Sequence, residues 1–305
     1  MSNSNDYTNR IIIDWIAFTT TDDFELNDLI DFEFEYQDME RGMLGYKSMA
    51  IEQTTKIKNL RDGNVGMGQH FIISGQSCRI LEHFKINLLD FIIELIADST
   101  ISITRLDVAM DIFKDKKLLK LIIDSYNLNN YISKTKSSNI LISKSENGRT
   151  GTTINFGSRQ SAVLIRIYDK GAEQDLEVDW IRFEIECKDK KYNRKIINNI
   201  RDDGIAETFK GLMNNYIRFL EYRDTNISRS PSATWWSKII NSINKIKLYE
   251  SPSARSISEV KEWLLSQVSA NFATVLQAEQ SRQFIDEMIS TGTEKMKNKH
   301  WNMVY

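Results

Sequence analysis

Cysteine, proline and histidine are all scarce in this 305-residue chain. Its two cysteines, Cys78 and Cys187, are too few for a disulfide framework or a four-cysteine zinc site, and they suit a reducing cytoplasm. Two prolines and 13 glycines exclude long Pro/Gly linkers and collagen-like arrays. The three histidines, His70, His83 and His300, form no His-x-His or His-x-x-x-His pair, which argues against a zincin, a histidine-ligated HUH nuclease and a serine-hydrolase triad. Neither a Gly-x-x-x-x-Gly-Lys loop nor a Gly-x-Gly-x-x-Gly fingerprint is present, so the chain has no sign of an intrinsic nucleotide motor. No apolar run reaches the roughly 18–20 residues of a membrane helix, and the polar start Met1-Ser2-Asn3-Ser4-Asn5-Asp6 is no signal peptide. A cytoplasmic protein without a membrane partner is expected.

Charge of one sign is also lacking. Forty basic residues face 42 acidic ones, a net charge of −2. That argues against a chain that coats nucleic acid by bulk charge alone, and any polyanion site must come from local arrangement. The 41% hydrophobic and 27% charged residues describe a globular protein, with length for two modest domains or one larger one.

Three segments alternate with period two, the signature of half-buried strands. Leu106, Val108, Met110 and Ile112 share one side of a strand whose other side carries Arg105, Asp107, Ala109 and Asp111. Ile181, Phe183, Ile185 and Cys187 oppose Arg182, Glu184, Glu186 and Lys188. Val163, Ile165 and Ile167 oppose Arg166, Tyr168 and Lys170. Further strands are expected at Ile11–Thr19, His70–Ser74 and Thr152–Phe156. Three-to-four spacing of apolar residues predicts helices over His83–Ala97, Lys116–Leu128, Lys191–Ile200 and Ala206–Leu220. The fold class is therefore α+β: an antiparallel or mixed sheet with one face covered by helices and one open charged face. Two similar ferredoxin- or RRM-like halves would fit, though no repeat establishes them. Beyond about residue 225 alternation vanishes, and Trp235, Trp236, Ile239, Ile240, Val260 and Trp263 indicate helices. A catalytic domain over 1–225 and a helical region over 226–305 are expected. Trp235, Trp236 and Trp263 read as core residues rather than stacking platforms. The lysine-bearing stretch Glu294–His300 reads as a frayed or partner-contacting end.

Two arrangements could carry chemistry. Asp107 and Asp111 lie on one strand face, Glu184 and Glu186 on another; on neighbouring strands, such side chains come within roughly 5–8 Å. Oxygen-only ligands suit Mg²⁺ or Mn²⁺. A strand face whose acids Arg105, Arg182 and Lys188 neutralise has the same spacing. The second arrangement follows directly: Lys188-Asp189-Lys190-Lys191-Tyr192-Asn193-Arg194-Lys195 places a tyrosine among five cations at the start of a predicted helix. Helix N-termini and lysines attract phosphate, and positive charge eases phenolate formation. Tyr192 could attack a phosphodiester, or it could be a surface tyrosine in a basic first turn.

Several ordered segments together resemble the replication initiation factor (Rep_trans) family, which includes initiators of staphylococcal rolling-circle plasmids and filamentous phages and the MobT-type relaxases of integrative conjugative elements. They are Ser74-Gly75-Gln76-Ser77-Cys78-Arg79, Ile103–Asp111, Gly151–Ser161, Leu164-Ile165-Arg166-Ile167-Tyr168-Asp169-Lys170-Gly171, Trp180–Glu186 and the paired Trp235-Trp236. The resemblance covers roughly residues 10–270. It implies nicking and rejoining of DNA strands, with Tyr192 as nucleophile and a divalent-metal site at Asp107, Glu184 and Glu186. Asp111 fits that site less well, because strand rise puts it roughly 13 Å from Asp107. Arg105, Arg166, Lys170, Arg182, Lys188, Arg194 and Lys195 would grip DNA near the cut. Origin DNA, a host replicative helicase of superfamily one type and a second copy of the chain are the partners it implies. A plasmid or phage initiator and a conjugative relaxase share this chemistry and stay open alternatives. So do a catalytically silent origin-binding protein and a phosphodiesterase in which water attacks.

Overall fold

The computed structural model describes residues 7–21, 24–30, 32, 34–115, 117–144, 150–243, 261, 264–279, 282–294 and 296. The chain divides into two compact units, Met1–Ser251 and Pro252–Tyr305.

The first unit opens with strands β1 (Arg10–Thr20), β2 (Tyr36–Met39), β3 (Ser48–Glu52), β4 (Lys58–Arg61) and β5 (Gln69–Ile73). Helices α1 (Gly75–His83) and α2 (Leu88–Ala97), strand β6 (Ser102–Phe113) and helix α3 (Leu118–Asn127) follow. Then come β7 (Tyr131–Ser133), β8 (Ser138–Lys144), β9 (Thr150–Phe156), β10 (Val163–Asp169), the single turn α4 (Lys170–Glu173) and β11 (Trp180–Cys187). Helices α5 (Lys190–Asp203) and α6 (Ile205–Tyr216), strand β12 (Ile217–Phe219) and helix α7 (Thr234–Ser242) complete it.

Among the described residues, ten strands make one sheet in the order β2-β3-β4-β5-β1-β6-β11-β10-β9-β8. Every pairing is antiparallel, which decides between the two sheet types expected. The alternation read from sequence is observed: Leu106, Val108, Phe183, Ile185 and Ile165 enter one large core with Leu81 of α1, Phe91 of α2, Ile122 of α3, Ile197 of α5 and Phe209 of α6. Burying one face under helices forces the alternate side chains to the other face. That second face is charged as expected but less open than expected: Asp107, Asp111, Arg182, Glu184 and Glu186 are all buried.

Several boundaries differ from expectation for local reasons. The helix expected over His83–Ala97 starts only at Leu88, because Lys85 takes a left-handed φ of 68° and the Asn87 side chain caps α2 by accepting from the amides of Leu89 and Asp90; a separate helix, α1, precedes it and was not expected. Ser74 caps α1 in the same way through Ser77, at the point where a strand was expected to end. The helix expected to run to Leu220 stops at Tyr216, and Ile217–Phe219 instead pair with Tyr131–Ser133 as β12 and β7. Gly204, with φ 83°, separates α5 from α6, a backbone conformation that favours glycine.

The loss of alternation near residue 225 does not coincide with the division between units, because α7 joins the sheet-bearing unit. Trp236 is 2% exposed, with its ring 5.3 Å from Phe219 and 6.2 Å from Phe183. Both Trp235 and Trp236 pack against the core, as expected. The second unit contains α8 (Ser269–Glu279) and α9 (Gln283–Glu294), with the Phe272 and Phe284 rings 5.8 Å apart. Trp263, Val260, Pro252 and the lysines Lys295, Lys297 and Lys299 lie outside the described residues. Replacing Trp236 with Ala should cost about 3–5 kcal/mol of stability, the usual penalty for emptying a buried aromatic site. Urea unfolding measures it; a cost under 1 kcal/mol would mean α7 is not part of the cooperative unit.

Candidate nucleic-acid and metal site

Strands β6 and β11 are direct neighbours, and their register sets Glu186 opposite Asp107 and Glu184 opposite Ala109. On the charged face the carboxylates of Asp107, Glu184 and Glu186 therefore converge, each offering an oxygen within 4.8 Å of the others. All three are nearly inaccessible. Buried carboxylates demand cations, and the neighbouring strands supply them. Arg105 donates from Nε to Asp107 Oδ1 at 2.9 Å and from Nη2 to Oδ2 at 2.6 Å. The same Nη2 is 2.9 Å from Glu186. Arg166, opposite Glu184 across β10 and β11, donates to Glu184, reaches Glu186 at 3.2 Å and lies 3.9 Å from Asp107. Lys188 pairs with Glu186 at 2.5 Å, and the Tyr168 hydroxyl donates to Glu184 at 2.8 Å. Burial pushes the Asp107 carboxyl up to about 8, with Arg105 pulling down and Glu184 and Glu186 adding to the rise. Burial, then the Glu184 charge, also lifts the Tyr168 phenol far above its ordinary range.

Asp111 belongs to a second network. Its carboxylate accepts from Arg182 Nε at 2.7 Å and Nη2 at 2.9 Å, and from Arg10 at 2.9 Å. Although it is wholly buried, these guanidinium groups hold its pKa below the ordinary carboxylate value. Arg182 also donates to Asp14 at 2.7 Å. Asp14 sits where the β1–β6 register shifts between Ile13 and Trp15, and such a bulge re-aims a side chain. Charge pairing thus holds Asp111 and Arg182 as structural partners of one another.

A cleft of about 430 Å³ opens beside the carboxylates, lined in part by Arg105, Arg159, Arg166, Lys188 and Glu186. Its far wall is the same face of β9 and β8, carrying Asn155 and Asn139. Gly157, with φ 106°, ends β9 at its rim, where an added Cβ would come within 3.0 Å of the Val163 carbonyl oxygen.

Tyr192 is placed elsewhere. Asp189 caps α5 by accepting from the Tyr192 amide at 2.7 Å. The ring packs against the helix-covered core, and the side chain lines a separate cleft of about 620 Å³ between α5 and α6, beside Lys195, Asn199 and Asn215. Burial, then the neighbouring Tyr192 phenol, raises the Tyr216 phenol above its ordinary value.

Of the residues selected from sequence, the structure brings together Asp107, Glu184, Glu186, Arg105, Arg166 and Lys188. It does not bring Tyr192, Lys170, Arg182, Arg194 or Lys195 to that cluster. Lys170 pairs with Glu173, Arg194 donates to the Ile96 carbonyl, and Lys195 lines the Tyr192 cleft. Sequence reading passed over Arg159, Asn139, Asn155 and Tyr216. Tyr168 alone of the missed contacts was legible, since it shares strand parity with Arg166.

Buried carboxylates next to a cleft of guanidinium and amide groups are the equipment of a protein that handles phosphodiesters. The chain belongs to the replication initiation factor family, whose model matches residues 101–289. It is 27% identical over 248 residues to the putative DNA relaxase NicK of Bacillus subtilis strain 168, covering 76% of this chain and 70% of that one. Its fold is similar to that of a rolling circle replication initiator protein from Geobacillus stearothermophilus, with a TM-score of 0.71, 26% identity and coverage of 80% of this chain and 99% of the other. The chain is accordingly a DNA-binding protein of nuclease type. Among its described residues no helix is long and apolar enough to cross a membrane.

The two guanidinium groups should behave differently when removed. Arg182→Met leaves Asp111 and Asp14 without their shared cation, at a cost of about 3–5 kcal/mol. Arg166, about a third exposed (32%), is the cation on Glu184, which would keep the Tyr168 hydroxyl while Arg105 and Lys188 stay on Asp107 and Glu186. With solvent at hand to replace it, Arg166→Gln should cost about 1–2 kcal/mol, less than Arg182→Met. Chemical denaturation compares them; an equal loss for Arg166→Gln would mean that its partners are as enclosed as those of Arg182.

Proposed function

We propose that the chain is a sequence- and strand-specific DNA nicking-joining enzyme that initiates rolling-circle replication of a plasmid or phage. A divalent cation at Asp107, Glu184 and Glu186 and a covalent 5′-phosphotyrosine at Tyr192 complete the reading. The same chemistry would serve the relaxase of an integrative conjugative element. The observation that carries it is the burial of three carboxylates on paired strands beside a basic cleft. This oxygen-only donor set fits Mg²⁺ or Mn²⁺, which when bound would polarise a non-bridging phosphate oxygen.

The chain's own residues supply the rest. Arg166 Nη2 stands within 3.9 Å of all three carboxylates, the place a cation would take. Its guanidinium would turn into the cleft when a cation enters and meet a phosphate there instead. Arg105 and Lys188 hold Asp107 and Glu186 in place. Tyr192 rests on its position six residues past Glu186, a few residues beyond the strand that resembles the family's. The first turn of α5 would have to release the ring from the α5–α6 cleft toward the sheet edge where Lys188 reaches Glu186. The phenol oxygen then bonds to phosphorus as the bond from phosphorus to the 3′ oxygen breaks, and the proton lost by the phenol is balanced at the free 3′-hydroxyl. Reversal reseals the strand without ATP. A host helicase of superfamily one type would unwind the nicked duplex, and a second copy of the chain would permit termination by a second tyrosine.

Supercoiled DNA carrying the cognate origin, incubated with Mn²⁺, should acquire an SDS-resistant protein on its 5′ end. Tyr192→Phe or EDTA should abolish the adduct. An adduct that survives Tyr192→Phe but vanishes in Tyr168→Phe would move the nucleophile to the tyrosine that touches Glu184. Free 5′-phosphate ends would favour attack by water, and no cleavage at all would favour a silent origin-binding protein. Metal binding itself should depend on pH. Asp107 has to lose its proton to act as a ligand, so Mn²⁺ affinity, followed by electron paramagnetic resonance, should rise up to about tenfold per pH unit below pH 8 and then level off. A flat profile would remove Asp107 from the ligand set.

A further inference from the structure

The strand registers align a single row across the charged face. Asn139 of β8 stands opposite Asn155 of β9, Asn155 opposite Arg166 of β10, and Arg166 opposite Glu184 of β11. At about 4.8 Å per strand, the asparagine pair lies roughly 10–14 Å from Glu184. The intervening surface is the basic cleft already described, whose volume of about 430 Å³ is in the range that holds a small ligand or a single nucleotide.

The two amides are oriented by each other: Asn155 Nδ2 donates to Asn139 Oδ1 at 2.7 Å. That bond leaves Asn139 Nδ2 as a donor and Asn155 Oδ1 as an acceptor, with no hydrogen bond to either among the described residues. Beside them Leu141, on the same strand face as Asn139, is 54% exposed and lines the same cleft. An exposed leucine against a polar wall offers an apolar surface to a base or sugar. Phosphate contacts position a strand and base-edge contacts identify it, and the cleft separates these functions in space. Cationic groups gather at the carboxylate end, while the neutral amide pair and Leu141 stand at the far end.

We propose that this cleft is a nucleotide-reading subsite, in which Asn139 and Asn155 select one base of a single DNA strand whose phosphates lie along Arg166, Arg105 and Lys188. The subsite deepens the nicking function proposed above and rests on it. A base edge that pairs a donor with an acceptor, as adenine does through N6 and N7, meets the amide pair with two hydrogen bonds. Because the pair is held in register with Glu184, the base it selects has a constant offset from the scissile phosphate. Strand specificity near the nick would then come from the sheet itself.

The full chain, without added metal, should be used to select from a pool of single-stranded DNA with a randomised centre, and the retained strands sequenced. The wild type should enrich a motif. Asn139→Ala combined with Asn155→Ala should erase the preference at one position of that motif, by about five- to hundredfold, and leave the others. Asn155→Asp, which removes the amide donor at nearly constant size, should change the preferred base at that position. Thermal unfolding of both variants should match the wild type, since Asn139 is exposed and Asn155 half-buried. An unchanged motif in the double variant would overturn the subsite, as would a uniform loss of affinity across all sequences. DNA retained without any motif would overturn it too, while leaving DNA binding intact. Failure of the wild type to retain DNA would instead overturn the function on which the subsite rests.

Discussion

The structure depends on placing charge inside a sheet. β6 and β11 sit near its centre, flanked by β1 and β10, and their alternate residues point away from the helices. Those residues include Asp107, Asp111, Arg182, Glu184 and Glu186, all buried. An isolated buried carboxylate is costly enough that it would protonate or unfold the strand. Here Glu184, Glu186 and Asp111 meet guanidinium or phenol groups from neighbouring strands, which the register of the ladder brings together, and Asp107 meets Arg105 two residues along its own strand. The β1–β6 irregularity that carries Asp14 serves the same requirement, because it supplies Arg182 with a second anion.

Within this face the charges divide by their surroundings. Around Asp111, two arginines and two aspartates satisfy one another, and Arg182 is almost wholly enclosed. That closed network locks β1, β6 and β11 together. Around Asp107, Glu184 and Glu186 the cations are the partly exposed Arg105, Arg166 and Lys188, which border a cleft. Partners that face solvent can be exchanged for a metal ion or a phosphate; enclosed partners cannot. One strand pair thus provides both a rigid support and an exchangeable site.

Tyr192 raises a question of geometry rather than chemistry. β11 ends at Cys187, Lys188 still reaches back to Glu186, and Asp189 immediately starts α5. Within these few residues the chain passes from the charged face to the helical one. The side chains of Lys188 and Tyr192 consequently lie on opposite sides of the same sheet edge. The Tyr192 ring packs on the helix-covered core and lines the α5–α6 cleft, so a nucleophilic role joins catalysis to movement of the helix N-terminus.

Much of the fold was legible because its signals are local. Period-two alternation identified β6, β10 and β11 and assigned each side chain to a face, so the carboxylates and Arg166 could be named before any coordinates. The short strands β2, β3 and β4 carry no such alternation, the cap Ser74 read as the end of a strand, and the cap Asn87 lay within a stretch that read as continuous helix. Spacing along one strand likewise rejected Asp111 as a close companion of Asp107. The sequence by itself determined which residues face away from the helices and that they are charged. The tertiary structure alone decided which of them meet, because contacts between strands depend on neighbour order and register. Those two quantities set Arg166 among three carboxylates, aligned two asparagines with Glu184, and turned Tyr192 to the other side of the sheet.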